Sequence, residues 1–514
     1  MEVLARLRHS DAALLTLMVA SIAVFNLIWV GVDSDRLTWD YARHLGDSLF
    51  YKDTFSLAHP IHYLEGYTYY PPFMYWVTDL FYAVFGTGLW VAILSNTVFL
   101  SILVFATYGI GKTLWSPRVG LLSAFFVVTT PLFVTQSREY MLDMPLTALV
   151  ALALYLLIRS DNFADRRMSL LFGAACGCGV LLKWTFPAFV FLPAAFAAGT
   201  AVLVWRREGS RERLDNILGA GLIFLALAAL WYLPNYHEFR VDAKAQADFP
   251  ASLIGVPPVG SLASWLWYLW SLVNVELYLI PTLFFLAGIV YLFRRSEAAR
   301  SNLPLILSLV GAYVALSLIT IKDVRQAMPM VPAVAVLATS WLEYLRPRTR
   351  QWLVAGLVGY GVLTFLVISF GTSAFSNTVK IPIATGSLTS DVSTFAPPKT
   401  TRVTGLVLFN QRPLFLGPAS DEEWHQEDVF KEMVARGGPN PSFWFTDPAD
   451  SIWFNTWGIR YYSYRYGATW VGLPQEAQFL LIRGPTPAGV TTGFTEVKRY
   501  GLPYGGPLTL YQRL

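Results

Sequence analysis

The chain has 514 residues, of which 55% are hydrophobic and only 14% are charged. Soluble proteins carry about 25% charged residues, so this composition excludes an ordinary soluble domain and predicts a polytopic membrane protein. The formal net charge of +4 is spread among loops, and it therefore describes membrane topology rather than a nucleic-acid-binding surface.

The first apolar segment, Ala12–Val32, is long enough to span a bilayer, since about 20 residues suffice. Arg6, Arg8 and His9 precede it and no small-residue cleavage site follows, so we do not expect a cleaved signal peptide. By the positive-inside rule the N-terminus is cytoplasmic, and the first loop, residues 33–86, is extracytoplasmic.

Within that loop, the apolar segment Phe73–Phe85 is too short to cross a bilayer without tilting. If it crossed, the basic loops that follow would all face outward, against the positive-inside rule. We therefore predict a juxtamembrane helix at the outer surface, and about eleven spanning helices in total. The spans are Ala12–Val32, Leu89–Ile110, Gly120–Val134, Met144–Ile158, Leu170–Leu182, Phe186–Val204, Ile217–Leu233, the second part of Trp265–Phe293, Leu303–Ile319, Met328–Leu342 and Trp352–Phe370.

The C-terminal part is more polar and predicts a small soluble α/β domain outside the cytoplasm. Residues 372–400 are rich in Ser, Thr and Pro, as linkers are. A helix is predicted over Asp421–Ala435, because Ser420 and Glu423 have the spacing of a capping box. The chain thus divides into a transmembrane domain, 1–371, and a C-terminal domain, 372–514. The predicted strands are Arg402–Asn410, Phe443–Phe445, Gly458–Tyr464, Gln478–Ile482 and Leu508–Gln512.

Neither the cysteines nor the histidines predict a metal or redox site. Cys176 and Cys178 lie in the small-residue run GAACGCG, which predicts close helix packing, and a disulfide between residues two apart is geometrically poor. His59 and His62 are three residues apart, but a metal site needs three or four donors. We therefore expect no certain cofactor; a divalent metal is not indicated.

The charged residues concentrate at the outer ends of the predicted spans. A transporter usually places its site near the bilayer midplane, whereas a site at the outer boundary suits an enzyme whose substrate is a lipid with a polar head. A carboxylate of the first loop would accept the proton of an attacking hydroxyl. Lys183, Lys322 and Arg325 would bind a lipid phosphate. A single catalytic carboxylate without a partner nucleophile predicts inversion at the sugar carbon.

Five motifs on this outer side occur in the order DSDRLTWDYARHL, YYPPFMYW, SREYMLDMPL, LLKWTF and IKDVRQAMPMVP. With them, the region from Ala12 to Phe370 resembles the GT-C glycosyltransferases of the protein-mannosyltransferase and lipid A aminoarabinose-transferase type. The resemblance implies transfer of a monosaccharide from a polyprenyl-phosphate donor, with inversion, to an acceptor outside the cytoplasm. That acceptor is a protein, a lipid or an envelope glycan.

The resemblance also implies site residues. The first-loop catalytic Asp of this family is usually followed by Glu, but Asp33 and Asp35 are followed by other residues. We prefer Asp35 as the base, with Asp33 next and Asp40 third. Asp143 matches the second acidic position of the family. The substrate-binding candidates are Asp40, Tyr70, Pro71, Arg138, Glu139, Lys183, Lys322 and Arg325, with Tyr70 standing where the family often has a basic residue before its Pro pair.

Two other classes remain open. A transporter or flippase of a lipid-linked sugar would share the outer phosphate site, but it should need polar residues through the bundle. A structural protein of the envelope leaves the outer charges unexplained. Among the residues, Arg138 and Asp143 could simply pair with each other, and Lys183 could reach the interface. We expect a multi-pass protein of the cell membrane with the lipid bilayer, a polyprenyl-phosphate sugar and an acceptor as partners, and no nucleic acid.

Overall fold

The computed structural model shows a mostly helical chain with a small region of β-sheet at its C-terminal end. Its description covers residues 2–33, 37–55, 60–250, 256–370, 378–384, 388–393, 403–404, 422–446, 454–487, 489–503 and 505–514. The helices are α1 Glu2–Val32, α2 Trp39–Thr54, α3 Pro60–Glu65, α4 Phe73–Phe85, α5 Leu89–Leu114, α6 Pro117–Val128, α7 Pro131–Gln136, α8 Asp143–Arg159, α9 Arg166–Val180, α10 Pro187–Glu208, α11 Glu212–Tyr232, α12 Tyr236–Asp248, α13 Leu262–Ser271, α14 Leu279–Arg294, α15 Ser296–Ser301, α16 Leu303–Ser317, α17 Val331–Ser340, α18 Pro347–Phe370, α19 Gln426–Gly437 and α20 Thr456–Tyr466.

Within these residues, five helices are long and apolar enough to cross a membrane: α1 (from Asp11), α5, α10, α11 and α18. Four shorter helices, α4, α6, α14 and α16, are also apolar. The prediction of a polytopic helical membrane protein is therefore confirmed. The predicted short helix Phe73–Phe85 is α4, with the same bounds.

One predicted span is interrupted in the structure, and one long apolar segment divides as expected. The segment Gly120–Val134 divides into α6 and α7, because Pro131 begins a new helix and Thr130 turns its hydroxyl back to the carbonyl of Val127. The segment Trp265–Phe293, expected to be too long for one span, divides into α13 and α14. A π-helical turn, Leu272–Leu277, and a residue with φ of 61° separate these two helices.

Small residues let α9 and α11 pack backbone against backbone. A Cβ atom added at Gly173 would lie 2.2 Å from the carbonyl oxygen of Ala220, so only glycine fits there. Cys176 and Cys178 are free thiols on the same helix. The predicted packing role of this small-residue run is confirmed.

The C-terminal strands are β1 Thr378–Ala384, β2 Leu388–Ser393, β3 Val403–Thr404, β4 Ser442–Thr446, β5 Thr469–Trp470, β6 Phe479–Arg483, β7 Phe494–Tyr500 and β8 Leu508–Arg513. The first three form an antiparallel sheet. The others form a five-stranded sheet in the order β5-β4-β6-β8-β7, with β4 parallel to β5 and β6, and β8 antiparallel to β6 and β7. This mixed sheet, with α19 and α20, confirms a small α/β region.

Four predictions for this region were wrong or incomplete. Gly458–Tyr464, expected as a strand, lies in α20, because Asn455 caps the helix start through the amide of Gly458 and Gly467 ends it in the left-handed conformation. The predicted helix begins at Gln426, so Glu423 does not belong to a capping box. The predicted linker, 372–400, contains β1 and β2, which were not predicted; nor were β5 and β7. Of the predicted strand Arg402–Asn410, the described residues contain only β3.

Helix α20 packs against α2, the first helix after α1. The side-chain amide of Asn455 donates to the backbone carbonyl of Leu37 at 2.9 Å, two residues before α2 begins. Both residues are buried. The C-terminal part of the chain therefore holds the start of α2 in place.

Candidate active site

Helix α2 carries Asp40, Arg43, His44 and Asp47 at intervals of three, four and seven residues, which places them on one face of the helix. This face borders a cavity of about 210 Å³, named here the phosphate cavity after the ligand that the sequence predicts for Lys183 and Arg325. The other walls come from the loop before α4, the start of α8, the turn after α9 and the segment between α16 and α17. Its lining includes Asp40, His44, Tyr70, Asp143, Lys183 and Arg325.

Arg325 lies at the centre of this cavity wall and contacts three carboxylates. Its Nε and Nη2 atoms donate to the two oxygens of Asp323 at 3.0 and 2.6 Å, and Nη2 also donates to Asp40 at 2.6 Å. Its Nη1 lies 4.0 Å from Asp143. The two-pronged contact with Asp323 fixes the plane of the guanidinium, so its remaining N–H groups have a defined direction.

Asp323 itself is positioned by a helix start. Its carboxylate accepts from the backbone amide of Arg325 at 2.9 Å, and Gln326 completes a capping box at the 3₁₀ turn Val324–Met330. The capping residue and the arginine are therefore two residues apart and pair with each other. Local sequence at this turn directs Arg325 into the cavity.

The second ion pair joins Lys183 to Asp143, with 2.7 Å between Nζ and Oδ1. Asp143 is the first residue of α8, where the helix dipole favours a negative charge. Lys183 follows α9, and its ammonium lies 5.7 Å from the centre of the Tyr70 ring. The side chain of Asp143 is only 3% exposed, so this carboxylate depends on its two cationic neighbours.

Burial and charge shift the titration of the α2 side chains in opposite ways. Burial alone would raise the pKa of Asp40, but Arg325, helped by His44 and Lys183, outweighs it and lowers this pKa to about 2. Burial lowers the pKa of His44 to about 3, so this imidazole is neutral at pH 7. Burial raises the pKa of Asp47 to about 6, against the attraction of Arg43.

The formal charges of the phosphate cavity cancel. Three cations, Arg43, Lys183 and Arg325, face three carboxylates, Asp40, Asp143 and Asp323. A phosphate bound in this cavity would have to replace a carboxylate at one of the cations. Asp40 is the most exposed of the three carboxylates, with 41% of its side chain accessible.

Five residues predicted from the sequence meet at this cavity: Asp40, Tyr70, Asp143, Lys183 and Arg325. Asp143 pairs with Lys183 and lies near Arg325, so the alternative in which it pairs only with Arg138 is wrong.

Other predicted residues lie elsewhere. Lys322 donates to the carbonyls of Ser317 and Ile319 at 3.0 and 2.6 Å, so its ammonium closes the end of α16 rather than facing the phosphate cavity. Arg138 covers the ring of Trp29 and donates to Val134 and Ser369. These contacts correct the expectation that both side chains bind substrate.

Near Arg138, Glu139 accepts from Gln136 at 3.0 Å, and burial raises the pKa of Glu139 to about 8. Asp33, at the end of α1, acts electrostatically on both Arg138 and Glu139. None of these three, nor Pro71, is among the described residues that line the phosphate cavity. Asp35 lies outside the described residues.

The sequence analysis missed Asp323 and His44, which line the cavity, and gave Arg43 no role. A usable signal was present for two of them, because Arg43 and His44 follow Asp40 at helical spacing. Among the described residues, no group of three or more His, Cys, Asp or Glu side chains is arranged to hold a metal ion. His59 and the side chain of His62 lie outside that description.

A model of the dolichyl-phosphate-mannose-protein mannosyltransferase family matches residues 70–232. This segment contains Tyr70, Asp143 and Lys183 of the phosphate cavity. Undecaprenyl phosphate-alpha-4-amino-4-deoxy-L-arabinose arabinosyl transferases from Pseudomonas aeruginosa and Pseudomonas paraeruginosa are each 32% identical over 169 residues, which is 31% of this chain. The matched part spans 28% of the length of these relatives.

Solved structures extend the likeness to the whole chain. ArnT from Cupriavidus metallidurans bound to undecaprenyl phosphate superimposes with a TM-score of 0.61 at 14% identity, covering 97% of this chain and 98% of that one. Its apo state gives a TM-score of 0.59 at 15% identity, with the same coverage. The chain therefore has the same fold as ArnT from Cupriavidus metallidurans.

Proposed function

We propose that this protein is a membrane glycosyltransferase that moves a monosaccharide from a polyprenyl-phosphate donor to an extracytoplasmic acceptor, with inversion. The observation that carries this proposal is the phosphate cavity. Arg325 and Lys183 converge there from distant parts of the chain, and both are matched by carboxylates that a donor phosphate can replace. The names of the similar proteins, which act on or bind undecaprenyl phosphate compounds, support the same donor class.

In the proposed reaction the acceptor hydroxyl attacks the anomeric carbon of the sugar from the side opposite the phosphate. The bond from that carbon to the phosphate oxygen breaks, and its electron pair leaves with the polyprenyl phosphate. Arg325 and Lys183 stabilise the charge that grows on this leaving group. The proton of the hydroxyl passes to a first-loop carboxylate, for which Asp35 remains the preferred residue and Asp33 the second.

Asp40 is a poor base in this arrangement, because Arg325 lowers its pKa to about 2 and a useful base titrates near the working pH. Its role in the proposal is to hold Arg325 until the donor phosphate binds. Asp143 orients Lys183 through their ion pair. Asp323 fixes the plane of the Arg325 guanidinium.

The distribution of basic residues supports a cytoplasmic N-terminus and an extracytoplasmic C-terminal domain. Helix α8 begins at the cavity with Asp143 and ends at Arg159, so the two residues lie at opposite ends of the bundle. The basic segments on the far side contact one another, since Arg118 and Arg350 both pair with Glu343. By the positive-inside rule that side is cytoplasmic. On this topology the division into a membrane domain, 1–371, and an exported domain, 372–514, is retained.

The test is a transfer assay on the purified protein in detergent. Radiolabelled polyprenyl-phosphate sugars are supplied one at a time, with membrane extract as acceptor. We expect label to leave one donor, and Lys183→Met and Arg325→Met to abolish this release. Lys112→Met is the matched control, because Lys112 donates to Tyr108 and is not among the residues that line the phosphate cavity.

Retention of label on every lipid, together with movement of those lipids between the leaflets of a vesicle, would refute the transferase proposal in favour of a flippase. Full transfer activity in both cavity variants would instead refute the assignment of the phosphate cavity.

A further inference from the structure

A second cavity, of about 230 Å³, adjoins the phosphate cavity. Its walls come from α2, the loop before α4, α12 and α20, so the C-terminal part of the chain contributes directly to it. Arg43 and Tyr69 line both cavities. A single layer of side chains therefore separates a ligand in the second cavity from one in the phosphate cavity.

Aromatic rings and guanidinium groups alternate along the wall of the second cavity. The guanidinium of Arg43 lies 4.4 Å from the ring centre of Tyr69 and 4.8 Å from that of Trp457. That of Arg460 lies 5.4 Å from Trp457 and 5.8 Å from Tyr464. Such cation–π contacts cover the faces of the two guanidinium groups and leave their N–H edges to bind a ligand.

Arg43 has unused hydrogen-bonding capacity within the described part of the chain. Among those residues, its buried Nε atom has no hydrogen-bond partner, and a carboxylate oxygen of Asp47 lies 4.0 Å away. An unsatisfied buried donor costs about 1–3 kcal/mol. A ligand oxygen beside Arg43 would remove this penalty, and Arg43 stands on the wall that the two cavities share.

The lining of the second cavity points to a neutral ligand rich in hydroxyl groups. Two carboxylates, Asp47 and Asp242, balance Arg43 and Arg460, so the cavity favours neither an anion nor a cation. Carboxylates accept hydrogen bonds from hydroxyls, and guanidinium groups donate to them. The volume is below the roughly 300–1,000 Å³ of pockets for drug-sized ligands, which fits a sugar ring better than an acyl chain.

We propose that the second cavity binds the acceptor and that this acceptor is a carbohydrate, whose hydroxyl reaches the donor sugar past Arg43 and Tyr69. Calling this ligand an acceptor rests on the proposed transferase function. Binding of a carbohydrate in the second cavity does not itself require a transfer reaction. The C-terminal part of the chain, through Trp457, Arg460 and Tyr464, then selects the acceptor.

The test measures binding without any donor. Saturation-transfer NMR on the full-length protein in detergent uses short neutral oligosaccharides with different terminal sugars as probes, and serine-containing peptides as competitors. The variants are Arg460→Ala, Tyr464→Ala and Asp242→Asn. These residues line the second cavity and are not among those that line the phosphate cavity. Their matched controls are Arg436→Ala and Asp248→Asn, which lie outside that cavity.

We expect at least one oligosaccharide to bind at millimolar concentration, and about tenfold weaker binding in each cavity variant but not in the controls. No binding by any oligosaccharide, displacement by the peptides, or equal binding in all variants would overturn the inference. If sugars bind as expected while no donor is ever consumed, the transferase proposal fails and the carbohydrate site stands.

Discussion

The pair formed by Lys183 and Asp143 allows stability and chemistry to be separated by a double-mutant cycle. Lys183→Met leaves a carboxylate that is 3% exposed, with Arg325 4.0 Å away as its nearest remaining cation. Removing one partner of a buried ion pair lowers the free energy of unfolding by about 3–5 kcal/mol. Because Arg325 still compensates part of the Asp143 charge, we expect a loss near the lower end of this range. Asp143→Asn leaves the buried ammonium without the negative charge that lies 2.7 Å from it and costs a similar amount.

The double variant, Lys183→Met with Asp143→Asn, contains no uncompensated charge. We expect it to cost no more than either single change, about 3 kcal/mol, rather than their sum. Stability is measured by chemical unfolding in detergent micelles, followed through tryptophan fluorescence. All three variants should lose transfer activity by at least about 100-fold, because the cation that meets the donor phosphate is absent or misplaced.

Two results would refute this reasoning. Additive stability losses would mean that the two side chains do not interact as the 2.7 Å contact indicates. Recovery of transfer in the double variant would mean that Lys183 only neutralises Asp143 and never meets the phosphate.

Three further changes give separate expectations. Because burial raises the pKa of Glu139 to about 8, the folded chain holds this proton more tightly than the unfolded chain, and stability falls as pH rises from about 4.5 to about 8. Glu139→Gln should abolish the part of this fall between pH 7 and 8. An unchanged pH profile of Tm in the variant would contradict this expectation. Gly173→Ala should destabilise the protein by about 1–3 kcal/mol, because its Cβ would lie 2.2 Å from the carbonyl oxygen of Ala220. Gly199→Ala is the control and should not destabilise the protein, since the space around Gly199 is open. Equal Tm values for the two variants would count against the close packing of α9 on α11. Lys322→Met should lower stability by about 1–3 kcal/mol, because the carbonyls at the end of α16 lose the ammonium that donates to them. It should change the affinity for the polyprenyl-phosphate sugar by less than about twofold in an equilibrium binding assay. A large loss of that affinity would return Lys322 to the phosphate site.

The main residues of the phosphate cavity were predictable because each stands, in the predicted topology, at an outer end of a span. Asp143, Lys183 and Arg325 are far apart in the chain, but topology alone brings the outer ends of helices to one side of a membrane. Topology alone could not distinguish the roles of neighbouring residues within one loop. Lys322 and Arg325 are three residues apart, and the capping by Asp323 turns one into the cavity while the other closes α16.

The error at Gly458–Tyr464 has a local cause. The run GIRYYSY is rich in aromatic residues that favour strands, but these preferences are weak compared with capping and packing. Asn455 and Gly467 set the two ends of α20, and Ile459 and Tyr462 bury one face of the helix. The second cavity was beyond prediction for a different reason, because it depends on a contact between helices from the two ends of the chain.

That contact also has a consequence in time. Leu37 is synthesised more than 400 residues before Asn455, its partner across the interface between α2 and α20. On the proposed topology, the first loop reaches the outer side of the membrane long before α20 is synthesised. Until α20 has folded against α2, the start of α2 lacks this anchor. We therefore expect a chain truncated before α20 to insert into the membrane with α2 unanchored at its start.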